Sequence, residues 1–223
     1  MIKMKRYPRV RFRKRLRELK EEVEEMGHLT LKAQKYAMKT LTDFDEETLK
    51  FVNEANKKID AMKFDLERRC MGIIASEQPV AKDLRFVEAC IKVGTHLKRM
   101  VDLSVNIAEA AKNIKGEEIP ERPREDLIHM SNIVQMMVSK GLYSFLDQNM
   151  NMAMELRQDD DNVDDLFDQV LDNITQNMFQ DKDSISYLVH LLFVARFLER
   201  TADRAVNIGD RTIFMITCER PGL

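Results

Sequence analysis

Glu199, Asp203, Asn207 and Asp210 recur at steps of four, four and three residues near the end of a 223-residue chain. At about 100° per helical residue the four fall within about 80° of one another, so one helix face carries a row of oxygen donors. Leu188, Leu192 and Ala195 precede the row on that face and Ile213 follows it, so the oxygens interrupt an apolar stripe. Carboxylates one turn apart, at about 6 Å and an effective dielectric of about 20, repel by roughly 3 kcal/mol per pair, an upper bound in open water. A positive charge is therefore expected over the row. Arg196, Arg200 and Arg204 are close enough in sequence to supply it, and a metal ion is the alternative.

A second acidic run, Asp160, Asp164 and Asp168, lies on the preceding helical segment. Two antiparallel neighbours in a bundle bring such runs together. An all-oxygen cluster of this kind suits Mg²⁺, Mn²⁺ or iron, with zinc admissible. Asp160, Asp164, Glu199 and Asp203 form the complete set, with Asp210 further along.

The same scheme occurs earlier in the chain. Shifted by 101 residues, Leu97 to Glu109 falls on Leu198 to Asp210, with Leu, Arg, Asp, Val, Asn and Ile identical at six of thirteen positions. The segment Asn56 to Asp60, shifted by 104 residues, falls on Asp160 to Asp164. Two matched segments in the same order identify a tandem duplication. The earlier copy is depleted: Asn56 stands for Asp160 and Lys98 for Glu199, leaving Asp60, Asp102, Asn106 and Glu109. A protonated lysine does not coordinate, and at i, i+4 it neutralises Asp102, so a weakened or absent metal site is expected in the first half.

Other chemistry is poorly represented. Glu25 to His28 matches one half of a di-iron ExxH pattern, but a ferritin-like site needs two and no second is present. His96, His129 and His190 have no ligand-spaced partner and read as ordinary helix histidines. No glycine-rich phosphate loop or nucleophile elbow occurs. A carboxylate-bridged metalloenzyme, a hydrolase or oxidase, is a reading that the lone ExxH and few histidines speak against. Methionines concentrated between Met130 and Met154 read as adaptable core; their faces leave monomer and homodimer both open.

The elements that must position these acids are long helices. Charged residues make up 33% and apolar ones 44%, with only seven glycines and five prolines. Leu16, Leu19, Val23, Met26, Ala33, Ala37 and Leu41 recur at three- and four-residue steps, predicting a helix from about Phe12. Asp43 and Glu46 resemble a capping box opening a second helix, which runs to the break at Ser76 to Pro79. A third helix extends to about Asn113; three more are expected from about Glu121 to Leu146, Met150 to Phe179 and Asp183 to Cys218. The expected fold is all-α: two tandem antiparallel three-helix bundles related by a pseudo-twofold repeat, over residues 13–116 and 121–219. Residues 1–12 are a basic extension, frayed or extended because Pro8 and the positive charge oppose a helix start. That extension reads as a solvated tail, or alternatively as a patch for a membrane surface or an acidic partner. A net charge of −2 gives no nucleic-acid signal, and no apolar run is long enough to span a membrane.

Leu198-Glu199-Arg200-Thr201-Ala202-Asp203-Arg204-Ala205-Val206-Asn207-Ile208-Gly209-Asp210 resembles the LERxxDxxxNIxE/D signature of the PhoU family. Gln78-Pro79-Val80-Ala81-Lys82-Asp83-Leu84-Arg85, Met26-Gly27 and the Asp160/Val163-Asp164 segment are similar to the same family, and the likeness runs from about Arg13 to Glu219. The resemblance implies a cytoplasmic regulator at the inner face of the membrane. It would bridge the ATPase subunit of a phosphate ABC transporter and a sensor histidine kinase, restraining uptake and starvation signalling when phosphate is plentiful. It also implies a metal, iron or zinc and in some members multinuclear, on Asp160, Asp164, Glu199 and Asp203, with Asp210. The chain departs from the family at Asn56, Lys98 and Leu103, where Asp, Glu and often His are usual, and at Arg204, which replaces a common His. Those changes put the Asp60, Asp102 and Glu109 site in doubt. A regulator of a different transporter is the alternative within the same fold.

Overall fold

The computed structural model describes residues 7–219, with side chains from Val10 onward. Six helices follow in order: α1 (Tyr7–Thr42), α2 (Glu46–Glu77), α3 (Ala81–Asn113), α4 (Glu121–Leu146), α5 (Met150–Gln180) and α6 (Ile185–Thr217). No strand occurs among the described residues. Helices α1 to α3 pack on one another, as do α4 to α6, forming two tandem three-helix bundles. The bundles join side by side, α3 against α6 and α1 against α4.

Periodicity located the core of α1: Leu19, Val23, Met26, Ala33 and Ala37 are all inaccessible to solvent. Two helix starts differ from expectation. Helix α1 begins at Tyr7, five residues before Phe12, because Pro8 falls in the first turn, where its missing N–H has no helical partner to lose. Residues 1–6 of the basic extension lie outside the described residues. The cap of α2 is Asp45 rather than Asp43: its extended backbone lets the carboxylate accept from the amides of Glu47 at 3.2 Å and Thr48 at 3.1 Å. Asn149 caps α5 in the same way, accepting from the Met152 amide at 3.2 Å.

The junction between bundles is apolar and pinned by a few polar ties. Phe86 of α3 stacks on Phe145 of α4, ring centroids 5.8 Å apart. Arg85 Nε donates to the Met215 carbonyl at 2.9 Å, and Arg211 lies 3.8 Å from Glu88. These contacts fix α3 and α6 as antiparallel neighbours. No helix among the described residues is long and apolar enough to cross a membrane. Cys70 and Cys90 are buried, and burial pushes the Cys70 thiol up to about 12, while Cys218 is exposed.

Candidate functional site

Helices α5 and α6 approach closely because α6 carries glycine at position 209. A Cβ there would meet Leu156 Cδ1 at 2.8 Å and the Ala153 carbonyl oxygen at 2.9 Å. One turn along, Arg157 of α5 pairs with Asp210 of α6 at 3.0 Å. Counting forward along α5 and back along α6 from these ties, Asp160 stands opposite Asp203 and Asp164 opposite Glu199. The Arg196 guanidinium over the Phe167 ring, at 5.9 Å, continues the same register. The expected quartet is thus assembled across two helices.

Its electrostatics show the crowding. The Asp160 carboxyl is pushed up to about 6, first by burial, then by the charges of Asp164, Asp203 and Glu199. Asp164 is raised by burial and by Asp203, Asp161 and Asp168. Glu199 is raised by burial and by Asp203 and Asp164, against the lowering influence of Arg196 and Arg200. Arg196 donates to Glu199 Oε1 at 2.7 Å, which leaves Oε2 buried with no hydrogen-bond partner. A buried carboxylate oxygen without a donor is costly, on the order of 1–3 kcal/mol, and a proton, an N–H donor or a cation would relieve it.

The donor chemistry of the quartet fits a hard or borderline cation. As they stand, no three His, Cys, Asp or Glu side chains among the described residues converge closely enough to hold one. Asp160, Asp164, Glu199 and Asp203 are neighbours whose charges act on one another. Asp210 is turned to Arg157 instead. The Asn207 amide donates to the Asp203 carbonyl of its own helix at 2.6 Å, so its side chain serves the backbone.

The first half answers the same crowding internally. Lys98 Nζ lies 2.6 Å from Asp102 Oδ1 and 3.8 Å from Asp60 Oδ1, an ammonium at the position of the Glu199 carboxylate. Asn56, in place of Asp160, keeps a buried Oδ1 without a partner. Among the described residues, Glu109 pairs with Lys112 alone, at 4.0 Å. The donors of this half do not fit a metal while Lys98 is charged. The ExxH residues also separate: Glu25 pairs with Lys58 at 2.9 Å, while His28 lies 3.9 Å from Glu24.

Sequence reasoning missed two features. Arg157 as the partner of Asp210 depends on the register between α5 and α6, which no local spacing encodes. Lys140 of α4 reaches Asp159 at 2.6 Å and Glu155 at 3.2 Å on α5, drawing those acids away from the quartet. Of the three nearby arginines, Arg196 does pair with Glu199, at the i, i+3 spacing visible in the sequence.

The family model described as "PhoU domain" matches residues 23–111 and again residues 127–212. The chain is 63% identical over 217 residues to a protein of Methanothermobacter thermautotrophicus named phosphate-specific transport system accessory protein PhoU homolog 1, covering 97% of this chain and 99% of the relative. Its fold superposes on the crystal structure of PhoU from Pseudomonas aeruginosa with a TM-score of 0.88 at 27% identity, covering 93% of this chain and all of the other. The phosphate transport system regulatory protein PhoU from Streptococcus pneumoniae gives a TM-score of 0.87 at 26% identity, over 95% of this chain and all of the other.

Proposed function

The chain belongs to the PhoU family, and we propose that it is an accessory regulator of phosphate transport. In this reading it is a cytoplasmic helical adaptor at the inner face of the membrane, with a carboxylate metal site in its second repeat. The observation that carries the proposal is similarity along nearly the whole chain, in both repeats, to proteins named as phosphate-transport accessory proteins. Its partners would be the ATPase subunit of a phosphate ABC transporter and a sensor histidine kinase.

The structure suits binding better than turnover. Long helices present broad continuous faces, and exposed apolar side chains such as Phe64, Met71, Met136 and Phe179 are spread over several of them. Asp160, Asp164, Glu199 and Asp203 would hold the metal, iron or zinc by family resemblance, with Mg²⁺ or Mn²⁺ compatible with the donors. The ion would supply positive charge to the acid row and tie α5 to α6. The chain's own residues do the rest: Gly209 sets the helix separation, Arg196 orients Glu199, and Arg157 holds Asp210 aside.

Affinity capture from the native host in high phosphate, with partners identified by mass spectrometry, tests the adaptor reading. Recovery of a phosphate-transporter ATPase or sensor kinase, lost on phosphate starvation, is the expected result. Recovery of a different transporter would reassign the pathway. Elemental analysis of protein purified without a histidine tag tests the metal: stoichiometric iron or zinc that is lost in Glu199→Gln is expected.

A further inference from the structure

The α3–α6 seam has two ends related by the 101-residue repeat, and they differ in chemistry. At one end a groove of about 350 Å³ is lined by Asn106, Glu109 and Ala110 of α3 with His190, Phe193 and Phe197 of α6. The repeat places Asn207, Asp210 and Arg211 of α6 with Ala89, Lys92 and His96 of α3 at the other end. Two phenylalanines are thus exchanged for a lysine and a histidine, and an alanine for an arginine.

Two more cations enter that second end. The Arg85–Met215 and Glu88–Arg211 contacts set an antiparallel register that brings Arg204 level with His96 and Arg99 one turn along. Burial first, and then the charges of Arg204, Arg99, Arg211 and Lys92, hold the His96 imidazole down at about 4. His96 Nδ1 is buried and has no hydrogen-bond partner. Among the described residues, Lys92, Arg99 and Arg204 make no ion pair, while Arg211 is 3.8 Å from Glu88. Asp210, the remaining acid at this end, is engaged by Arg157. Four cations therefore surround one neutral histidine, against two acids, Glu88 beside Arg211 and Asp210 held by Arg157. Like charges so gathered raise the free energy of the seam unless an anion joins them.

We propose that this end of the α3–α6 seam binds a small, multiply charged oxyanion, inorganic phosphate, between Lys92 and Arg99 of one bundle and Arg204 of the other. Guanidinium groups present paired N–H donors that match the oxygens of phosphate, and a site built from both bundles couples occupancy to how the bundles sit together. Because the other end of the seam carries Phe193 and Phe197, one phosphate binds per chain. The identification of phosphate among oxyanions rests on the proposed function; the cation cluster does not.

Equilibrium dialysis of the full chain against radiolabelled orthophosphate at low salt, with sulfate as competitor, tests the proposal. Saturable binding of one phosphate per chain is expected, weakened at least about tenfold by Arg204→Leu, the residue its repeat partner Leu103 already carries, and by Arg99→Gln. Lys140→Gln, outside the seam, should leave binding unchanged, and circular dichroism confirms that each variant is folded. The His96 ring resonances should move as phosphate is added to the unaltered protein. Absence of saturable binding at millimolar phosphate, or binding indifferent to both arginine variants, overturns the site. Equal affinity for sulfate overturns phosphate as its ligand without touching the captured-partner test of the adaptor role.

Discussion

The two halves of this molecule put the same four positions to opposite electrostatic use. In the second half, Asp160, Asp164, Glu199 and Asp203 are all acids, and the Asp160 carboxyl is pushed up to about 6. In the first, Asn56, Asp60, Lys98 and Asp102 include one amide and one ammonium, and Lys98 sits 2.6 Å from Asp102. The scaffold is held constant by duplication, so the difference isolates the charge. An acid row in a helical bundle needs a cation, and it can be built into the chain or recruited from outside.

Exchanging the two solutions is the strongest way to break the comparison. Glu199→Lys together with Asp160→Asn copies the first half into the second. Metal retention, read by elemental analysis, should be lost altogether. The metal-free protein should become more stable by about 1 kcal/mol in denaturant titration, the screened remainder of a repulsion of roughly 3 kcal/mol per pair. The reciprocal Asn56→Asp/Lys98→Glu protein should lose comparable stability and gain a second equivalent of metal. If the first exchange leaves metal content unchanged, the quartet is not the site.

Helix spacing gives the next largest effect. Ala108 occupies the repeat position of Gly209 and is fully buried, so the first half accepts a methyl where the second has none. Gly209→Ala would put a Cβ within 2.9 Å of the Ala153 carbonyl, a backbone group that cannot rotate away. A loss of about 1–3 kcal/mol is expected by denaturant titration, together with weaker metal retention as α5 shifts from α6.

Much of this was legible in the sequence. The three- and four-residue recurrence of apolar side chains gave six helices, because burial on one face is a local pattern. The repeat gave the pairing of α2 with α5 and α3 with α6, and hence the quartet. What escaped was set by register between helices. The Arg157–Asp210 tie and the cations around His96 follow from how far one helix slides along another, which is fixed by contacts such as Gly209 against Ala153. The α2 cap was misread locally: Asp43 and Asp45 both precede the helix, and only backbone conformation shows that Asp45 faces the free amides. Likewise, Pro8 opposes a helix interior but not a first turn.

A smaller, graded effect comes from pH. Asp160 titrates at about 6 when folded, against about 4 for an ordinary aspartate, so the folded chain binds more protons between those values. Stability of the metal-free protein should therefore fall as pH rises from about 4 through about 6, and level off above it. The full difference corresponds to roughly 3 kcal/mol, which solvent screening at a half-exposed carboxylate reduces to about 1 kcal/mol. Glu199 and Asp164 move in the same direction. Asp160→Asn should flatten the profile. A profile that rises with pH over this range would contradict the crowding of the quartet.

The smallest change sharpens the comparison most. Asp210 is held by Arg157 at 3.0 Å, while among the described residues its repeat partner Glu109 pairs with Lys112 alone, at 4.0 Å. Because both side chains of the Arg157 pair are substantially exposed, Arg157→Gln should cost no more than about 0.5 kcal/mol of stability. Its effect on metal separates two roles for Asp210. If Asp210 joins the ligand set, releasing it should strengthen metal retention several-fold, measured by competition with a chelator, because a fifth carboxylate becomes free to swing toward the quartet. If it is only a tie between α5 and α6, retention should stay level or weaken slightly as the helices loosen. The first outcome is expected, since Asp210 shares a helix face with Asp203 within two turns and an anion gains more from a bound cation than from an exposed arginine.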